Sequence, residues 1–314
     1  MRVFYDLEAA KEIKNPVVTI GTFDGVHLGH QQILKQLISV AKLKGGESVL
    51  FTFYPHPRMV LQPANHGLQL IQTQTEKIDK LRKTGLDHLI IYPFSKKFAK
   101  LSAFEFLKEI IVDKIGAKTI IIGYDHQFGN QREGNIQFMR KYAEEFGYEV
   151  IEIPAAAIDE MNVSSTKIRQ CMLSGDIEQA NRFLGAPFCL HGKVVIGNQI
   201  GRTLGFPTAN IDVGDDTKLI PINGVYAVEI GWKNQLFKGM MNVGERPTIR
   251  LNKGRTLEVH IFDFQDDLYG KEIEVRFLKR VRTEQNFPNL AELSSQLKKD
   301  ETTIRNYFFQ LAYS

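Results

Sequence analysis

Two histidines three residues apart, His27 and His30, stand where the apolar run Val17-Val18-Thr19-Ile20 gives way to a helix-patterned stretch. They close the string Gly21-Thr22-Phe23-Asp24-Gly25-Val26-His27-Leu28-Gly29-His30. A strand-to-helix turn of this kind suits a bound phosphate. The first N–H groups of a helix have no partner within it and carry the positive end of its dipole, and glycines let a ligand approach the backbone. At this spacing the two imidazoles share a helix face. Cationic near neutral pH, they would match the charge that builds on phosphate oxygens when a nucleotide is attacked at phosphorus. The same spacing also suits histidines that only cap or pack the helix.

Three further groups share the first half of the chain. Phe51-Thr52-Phe53-Tyr54-Pro55-His56-Pro57 ends a strand with His56 restrained by a proline on each side, either as a site residue or as part of a turn. Gly123-Tyr124-Asp125-His126-Gln127-Phe128-Gly129-Asn130 is polar, aromatic and glycine-rich, suited to a planar ring or to a plain surface loop. Val163-Ser164-Ser165-Thr166-Lys167-Ile168-Arg169 puts hydroxyls ahead of a helix and two cations in its first turns. Cations there oppose the helix dipole, which makes sense if triphosphate oxygens lie near Lys167 and Arg169. A solvated helix start is the alternative.

The second half carries a different set. Gly197-Asn198-Gln199-Ile200-Gly201-Arg202-Thr203-Leu204-Gly205 is a flexible loop leading into Phe206-Pro207-Thr208-Ala209-Asn210. In an extended segment Thr208 and Asn210 face the same way and offer two hard oxygen ligands of the kind Mg²⁺ accepts beside phosphates and water. No Gly-Lys-Ser/Thr phosphate loop accompanies them. Alternation over Thr256–Phe264 puts Leu257, Val259 and Ile261 on one face and Glu258, His260 and Phe262 on the other. Glu258 could accept the proton of a hydroxyl attacking the γ-phosphate of ATP. A barrel corner and a solvent-facing carboxylate are the plainer readings.

The elements that must position these groups follow from periodicity. From residue 17 to about 153, apolar runs at 17–20, 48–53, 88–92, 119–122 and 149–153 alternate with amphipathic stretches at 29–43, 75–84, 102–114 and 135–146. This predicts an α/β, doubly wound parallel sheet with ligands beyond the carboxyl ends of its strands, where the turns after 20, 54 and 122 share one rim. After a loop and short helices over 154–187, period-2 segments at 192–196, 225–230, 237–243, 256–262 and 272–279 predict a small antiparallel β-barrel. Helical spacing returns over 289–314, predicting a C-terminal helix packed on it. The expected domains are 1–187 and 188–314.

Composition agrees with two soluble domains. The 314 residues are 43% hydrophobic and 24% charged, longer than one typical domain. Lys and Arg number 23 against 21 acidic residues over 1–187, and 17 against 15 over 188–314, so each part is only +2 and no basic arm suggests nucleic acid. Cys171 and Cys189 form neither a disulfide framework nor a metal motif. No run approaches the roughly 20 apolar residues of a membrane span, so a cytoplasmic protein, without a membrane partner, is expected.

The motifs also carry a resemblance. His27-Leu28-Gly29-His30 resembles the signature of nucleotidyltransferases, and the longer string is similar to that of prokaryotic FAD synthetases, as are Phe-x-Phe-x-Pro-His-Pro, the Gly-x-Asp-x-x-Phe-Gly loop and Ser-Ser-Thr-x-Ile-Arg. Leu204–Asn210, Asn223-Gly224-Val225-Tyr226-Ala227, Asn242–Thr248 and Leu257–Phe264 resemble the motif series of riboflavin kinases. The resemblance implies a Rossmann-like nucleotidyltransferase domain, then a kinase barrel, as in the bifunctional prokaryotic family. It implies that riboflavin is phosphorylated to FMN and FMN adenylylated to FAD, with ATP as cosubstrate, ADP and pyrophosphate as by-products, Mg²⁺ as cofactor, and a monomer or weak homo-oligomer. It further implies that Gly21, Phe23, Asp24, His27, His30, His56 and Asp125 lie at the adenylylation site, with Arg169 on ATP phosphates assisted by Ser164 and Thr166. In the barrel, Gly201 and Arg202 would flank the nucleotide, Thr208 and Asn210 would hold Mg²⁺ and phosphate, and Glu258 would be the base. His126 stands where that family usually has Phe. From the residues alone, an adenylyl transfer to another phosphorylated acceptor and a non-catalytic nucleotide or flavin sensor stay open.

Overall fold

The structure is a computed structural model that describes residues 1–62, 67–123, 126–154, 163–197, 200–245 and 254–312, excluding the Ile200 side chain. It contains two compact units, one made of Met1–Leu68 with Gln74–Ser165, the other of Gln69–Thr73 with Thr166–Ser314. The division falls between Ser165 and Thr166, ahead of the change in sequence texture at 187/188.

The first unit is built on β1 (Arg2–Phe4), β2 (Val17–Ile20), β3 (Ser48–Tyr54), β4 (His88–Pro93), β5 (Thr119–Gly123) and β6 (Glu149–Ile153). All pair in parallel in the order β1-β4-β3-β2-β5-β6. The expected doubly wound sheet is therefore present, with β1 as an additional edge strand. Its inner strands are buried and mainly apolar because both faces are covered. Alternate residues prove it: Val17, Leu50, Leu89 and Ile121 pack with Leu34, Leu37 and Ala41 of α1 (Leu28–Leu43). Ile78 and Leu81 of α3 (Gln74–Arg82) join the same cluster, after the short α2 (Pro57–Leu61). Val18, Val49, Ile90 and Ile120 pack on the opposite side with Phe106, Ile110 and Ile111. Those three lie in a π-helical stretch, Phe106–Lys114, that continues α4 (Ala103–Glu105); α5 (Ile136–Phe146) adds Met139 to the cluster. The chain leaves central β2 toward β3 on one side and reaches β5 on the other, so the strand order reverses beside β2. In open α/β sheets the crevice at such a reversal is the ligand site.

The second unit holds most of α6 (Ser165–Ser174), then α7 (Ile177–Leu184), β7 (Phe188–Val195), α8 (Ile200–Thr203), β8 (Ala209–Asp212), β9 (Gly224–Trp232), β10 (Gln235–Glu245), β11 (Arg255–Ile261), β12 (Glu272–Arg282) and α9 (Leu290–Ala312). The six strands close a barrel in the order β10-β11-β8-β7-β12-β9, every pair antiparallel, which leaves no open sheet edge. The expected C-terminal helix packs on it: Ile304 and Phe308 of α9 share a cluster with Phe206, Val225, Ala227, Met240 and Phe262. Helices α6 and α7 join this unit through specific bonds. The Ile222 N–H donates to the Met172 carbonyl at 3.2 Å, and the Asn181 amide spans the Phe277 carbonyl and the Phe188 N–H at 2.8 and 2.7 Å.

Gln69–Thr73, between α2 and α3 in the sequence, forms a strap on this barrel unit. Leu70 bridges in parallel to Lys218, its N–H on the Thr217 carbonyl and its carbonyl receiving the Leu219 N–H, both at 2.7 Å. The buried Lys218 ammonium donates to the carbonyls of Ile71 at 2.9 Å and Cys189 at 2.6 Å.

Candidate active sites

The turn after β2 is shaped by its small residues. The Gly21 N–H continues the strand by donating to the Phe51 carbonyl at 3.0 Å, and a Cβ on Gly21 would strike the Phe23 ring at 2.8 Å. Phe23, Gly25 and Val26 take left-handed φ values of 49°, 88° and 39°. For a β-branched residue such as Val26 that conformation is strained, and strain of this kind is tolerated where the surroundings impose it. The turn ends at His27, which caps α1 and accepts the His30 N–H on Nδ1 at 3.4 Å. A neutral His27 therefore carries its proton on Nε2. The His27 and His30 rings stack at 3.6 Å between centroids, and His30 stacks in turn on Phe23 at 4.5 Å. Gly29 makes this possible, since a Cβ there would lie 3.3 Å from the His27 ring.

Electrostatics correct one expectation. His30 is not a cation near neutral pH. Burial, then neighbouring His27, Lys80 and Lys77, hold its pKa well below the usual histidine value. Positive charge comes instead from α3, which carries two residues the motifs did not reveal. Lys77, 5% exposed, donates to the Thr22 carbonyl at 3.3 Å and to Thr52 Oγ1 at 3.4 Å. Lys80 donates to the Gly25 carbonyl at 3.1 Å. Burial lowers the Lys77 ammonium to about 8, against the pull of nearby Asp24.

Asp24 is buried in the turn, and its carbonyl accepts the Ser165 hydroxyl at 2.8 Å, so Ser165 joins the turn while Ser164 directly precedes α6. Thr166 and Arg169 lie on α6 within the barrel unit, where the Arg169 Nε donates to the Gln69 carbonyl of the strap at 2.8 Å. His56 caps α2, its Nδ1 accepting the Arg58 N–H at 3.2 Å, after a cis Tyr54–Pro55 bond. Asp125 lies outside the described residues, as does Tyr124. His126 follows them, its N–H on the Gly123 carbonyl at 3.1 Å and its ring stacked 6.1 Å from Phe128.

The barrel brings a second group together by register. Glu258 on β11 pairs directly with Asn210 on β8 and with Asn242 on β10. Residues directly opposite in neighbouring strands point to the same face, so Asn210, Glu258 and Asn242 form a polar row across three strands. Leu257, Val259 and Ile261 are buried on the other face, as alternation predicts. His260 fastens the approach to β8: its Nδ1–H donates to the Pro207 carbonyl at 2.8 Å while Phe206 meets its ring edge-on at 5.4 Å. Thr208 lies immediately before β8, half-buried.

Glycines let the preceding loop settle on this segment. A Cβ on Gly197 would overlap the Asn210 amide, and one on Gly201 would lie 2.2 Å from the Phe206 carbonyl and 3.4 Å from Thr208 Cγ2. Arg202, on α8, is exposed. At the row's other end the Glu284 carboxylate accepts the Asn223 amide at 2.9 Å and lies against Gly244, close to Asn242. Asn242 and Glu284 are further polar residues of this site; strand register alone could have found Asn242. Among the described residues no three His, Cys, Asp or Glu side chains gather as a metal cage. The hydroxyl and amide oxygens of Thr208 and Asn210 are nonetheless a donor set compatible with Mg²⁺ that keeps waters and shares phosphate oxygens.

Comparison with known proteins also finds two parts in the chain. The FAD synthetase family model matches residues 9–167, and the riboflavin kinase family model matches residues 184–308. A bifunctional riboflavin kinase/FMN adenylyltransferase of Buchnera aphidicola subsp. Schizaphis graminum is 39% identical over 98% of this chain and 99% of its own. The proteins of that name from Haemophilus influenzae and Escherichia coli K12 are 36% and 35% identical, covering 96% and 93% of this chain and 96% and 92% of theirs. A crystal structure of a Streptococcus pneumoniae protein, described as a macrolide-efflux protein, matches with a TM-score of 0.86 at 34% identity over 98% of this chain and 99% of that one. No helix among the described residues of the present chain is long and apolar enough to cross a membrane.

Proposed function

This chain belongs to the bifunctional riboflavin kinase/FMN adenylyltransferase family, and from that premise we propose how its residues divide two reactions. The riboflavin kinase domain phosphorylates riboflavin to FMN, and the FAD synthetase domain transfers AMP from a second ATP to FMN. One observation carries the division of labour: the histidine turn and the Glu258 row belong to different compact units, each overlapped by its own family model. We assign the adenylylation domain to residues 1–187 and the kinase domain to 188–314, and expect a cytoplasmic monomer or weak homo-oligomer.

In the barrel, Glu258 takes the proton of the terminal ribityl hydroxyl as that oxygen bonds to the γ-phosphorus of ATP. The bond to the bridging oxygen breaks and ADP leaves. In such transfers the carboxylate mainly orients the nucleophile. Thr208 and Asn210 hold the phosphates together with Mg²⁺, which when bound neutralises charge on the transferring group. Asn242 extends the row beside Glu258, and Gly201 and Arg202 cover the nucleotide.

At the first site the FMN phosphate is itself the nucleophile. Its oxygen bonds to the α-phosphorus of ATP and pyrophosphate departs, so positioning and charge stabilisation dominate. His27 donates from Nε2 to a phosphate oxygen, with neutral His30 stacked behind it. Gly21, Phe23, Asp24 and His56 frame the nucleotide; Asp125, Ser164, Thr166 and Arg169 complete the set carried by family likeness. Chromatography of products formed from riboflavin and ATP tests the assignment. His27→Ala is expected to accumulate FMN without FAD, and Glu258→Ala to form FAD only from supplied FMN. Loss of both activities in either variant would contradict separate sites.

A further inference from the structure

The turn between β2 and α1 has every carbonyl from Thr22 to Val26 engaged by a donor of the first unit. Thr52 Oγ1 and Lys77 reach the Thr22 oxygen, the Val26 N–H reaches Phe23, and the Ser165 hydroxyl reaches Asp24. Lys80 reaches Gly25, and the Gln31 amide reaches the Val26 oxygen at 2.9 Å. A loop binds an anion when its N–H dipoles face the ligand and its carbonyl lone pairs do not. Neutral hydroxyls, amides and N–H groups would suffice to hold those oxygens. Two of the donors are instead ammonium groups, one helical turn apart on α3, and Lys77 is kept charged against burial.

We propose that Lys77 and Lys80 are positioning residues for adenylyl transfer, holding the Thr22 and Gly25 carbonyls away from the triphosphate while placing two fixed cations behind the turn that receives it. This rests on the assignment of the histidine turn to FAD formation. The groups facing Lys77 are Asp24 in the turn and His30 on α1; Lys80 lies one turn along the same helix, and His27, the α1 cap, stacks on His30. Burial opposes the charged form of Lys77, Asp24 favours it, and His30 is neutral throughout the relevant range. In the free enzyme the Lys77 charge is therefore lost as pH rises through about 8. A bound triphosphate favours the ammonium and moves that loss to higher pH.

The experiment follows FAD formation from FMN and ATP by the full chain between pH 6.5 and 10, with riboflavin phosphorylation recorded alongside. Because kcat/KM reports the free enzyme and kcat the complex, kcat/KM for ATP should fall about tenfold per pH unit above about 8, while kcat bends only at higher pH. Lys77→Met should lower kcat by about 100-fold with little change in the KM for FMN, and should lack the limb near 8. Lys77→Arg, a cation that does not titrate in this range, should keep measurable FAD formation and shift the limb upward. Kinase activity should persist in both variants. A wild-type limb absent between pH 7 and 9, or one that survives unchanged in Lys77→Met, would overturn the proposal. A wild-type chain that forms FMN but no FAD at any pH would overturn the assignment of the turn and this proposal with it.

Discussion

At Gly29 the absence of one methyl group decides whether two imidazoles can stack. A Cβ there would sit 3.3 Å from both the His27 ring and Val163 Cγ1, tight enough that the ring must give. Alanine gains up to about 1 kcal/mol of helix preference over glycine, so Gly29→Ala should leave stability within about 1 kcal/mol of wild type. Small misplacements at a reacting centre cost up to about 100-fold, and an intermediate loss, about tenfold in FAD formation, is expected; melting curves and product chromatography check the two effects separately. Glu258→Gln preserves the shape of the polar row and removes only the proton acceptor. FMN formation should fall by about 100- to 1,000-fold, with FAD formation from supplied FMN unchanged. His30, whose pKa is held well below the ordinary histidine range, should contribute no acid limb near pH 6.5 to the FAD-forming reaction. Gly29, His30 and Glu258 were legible as parts of sequence motifs. Lys77 and Lys80 were not, because on Gln74–Arg82 they look like the solvated face of a polar helix, and only the fold turns them under a loop some fifty residues earlier.

Among the elements, α9 shows how a terminal helix is secured to a closed barrel. Asp300, 2% exposed, receives the Arg282 guanidinium from β12 through Nε at 3.0 Å and Nη2 at 2.8 Å, and the Gln296 amide at 2.8 Å. Removing one partner of a largely buried pair strands the other charge, so Asp300→Ala should cost about 3 kcal/mol, read as a lower denaturation midpoint for the barrel unit. Phe308→Ala should cost a similar amount, about 3 kcal/mol, through the cavity left beside Phe206 and Met240. Long periodic segments such as Leu28–Leu43 and Thr256–Ile261 were readable because their apolar faces repeat. The edge strand Arg2–Phe4 and the short β8 were not, since three or four residues carry too little alternation to distinguish a strand from a loop. The π-helical stretch Phe106–Lys114 looks helical in sequence, but its wider winding depends on backbone bonds that side-chain periodicity does not encode.

For the molecule as a whole, the partition of chain into units departs from the order of residues. Gln69–Thr73 is flanked by helices of the first unit yet belongs to the second, held by Leu70, Lys218 and Arg169. In the full chain the Leu70 amide should exchange slowly with deuterium, whereas in a fragment ending at residue 187, which lacks Thr217 and Lys218, it should exchange rapidly. Equal protection in both would contradict the strap as described. Lys218 is buried where strap and barrel meet: its ammonium serves the Ile71 carbonyl of the strap and the Cys189 carbonyl of β7 and lies 4.5 Å over the Phe188 ring.

Sequence alone determined the two-part architecture through strand and helix periods, and its motifs carried the resemblance that implied the family and both reactions, because periods and short strings are encoded by near neighbours. The tertiary structure decided which strands carry Asn210, Glu258 and Asn242 side by side, which lysines charge the histidine turn, that His30 is neutral there, and where the strap belongs. Those facts depend on register, burial and contacts between residues far apart in the chain. No local pattern specifies them before the chain is folded.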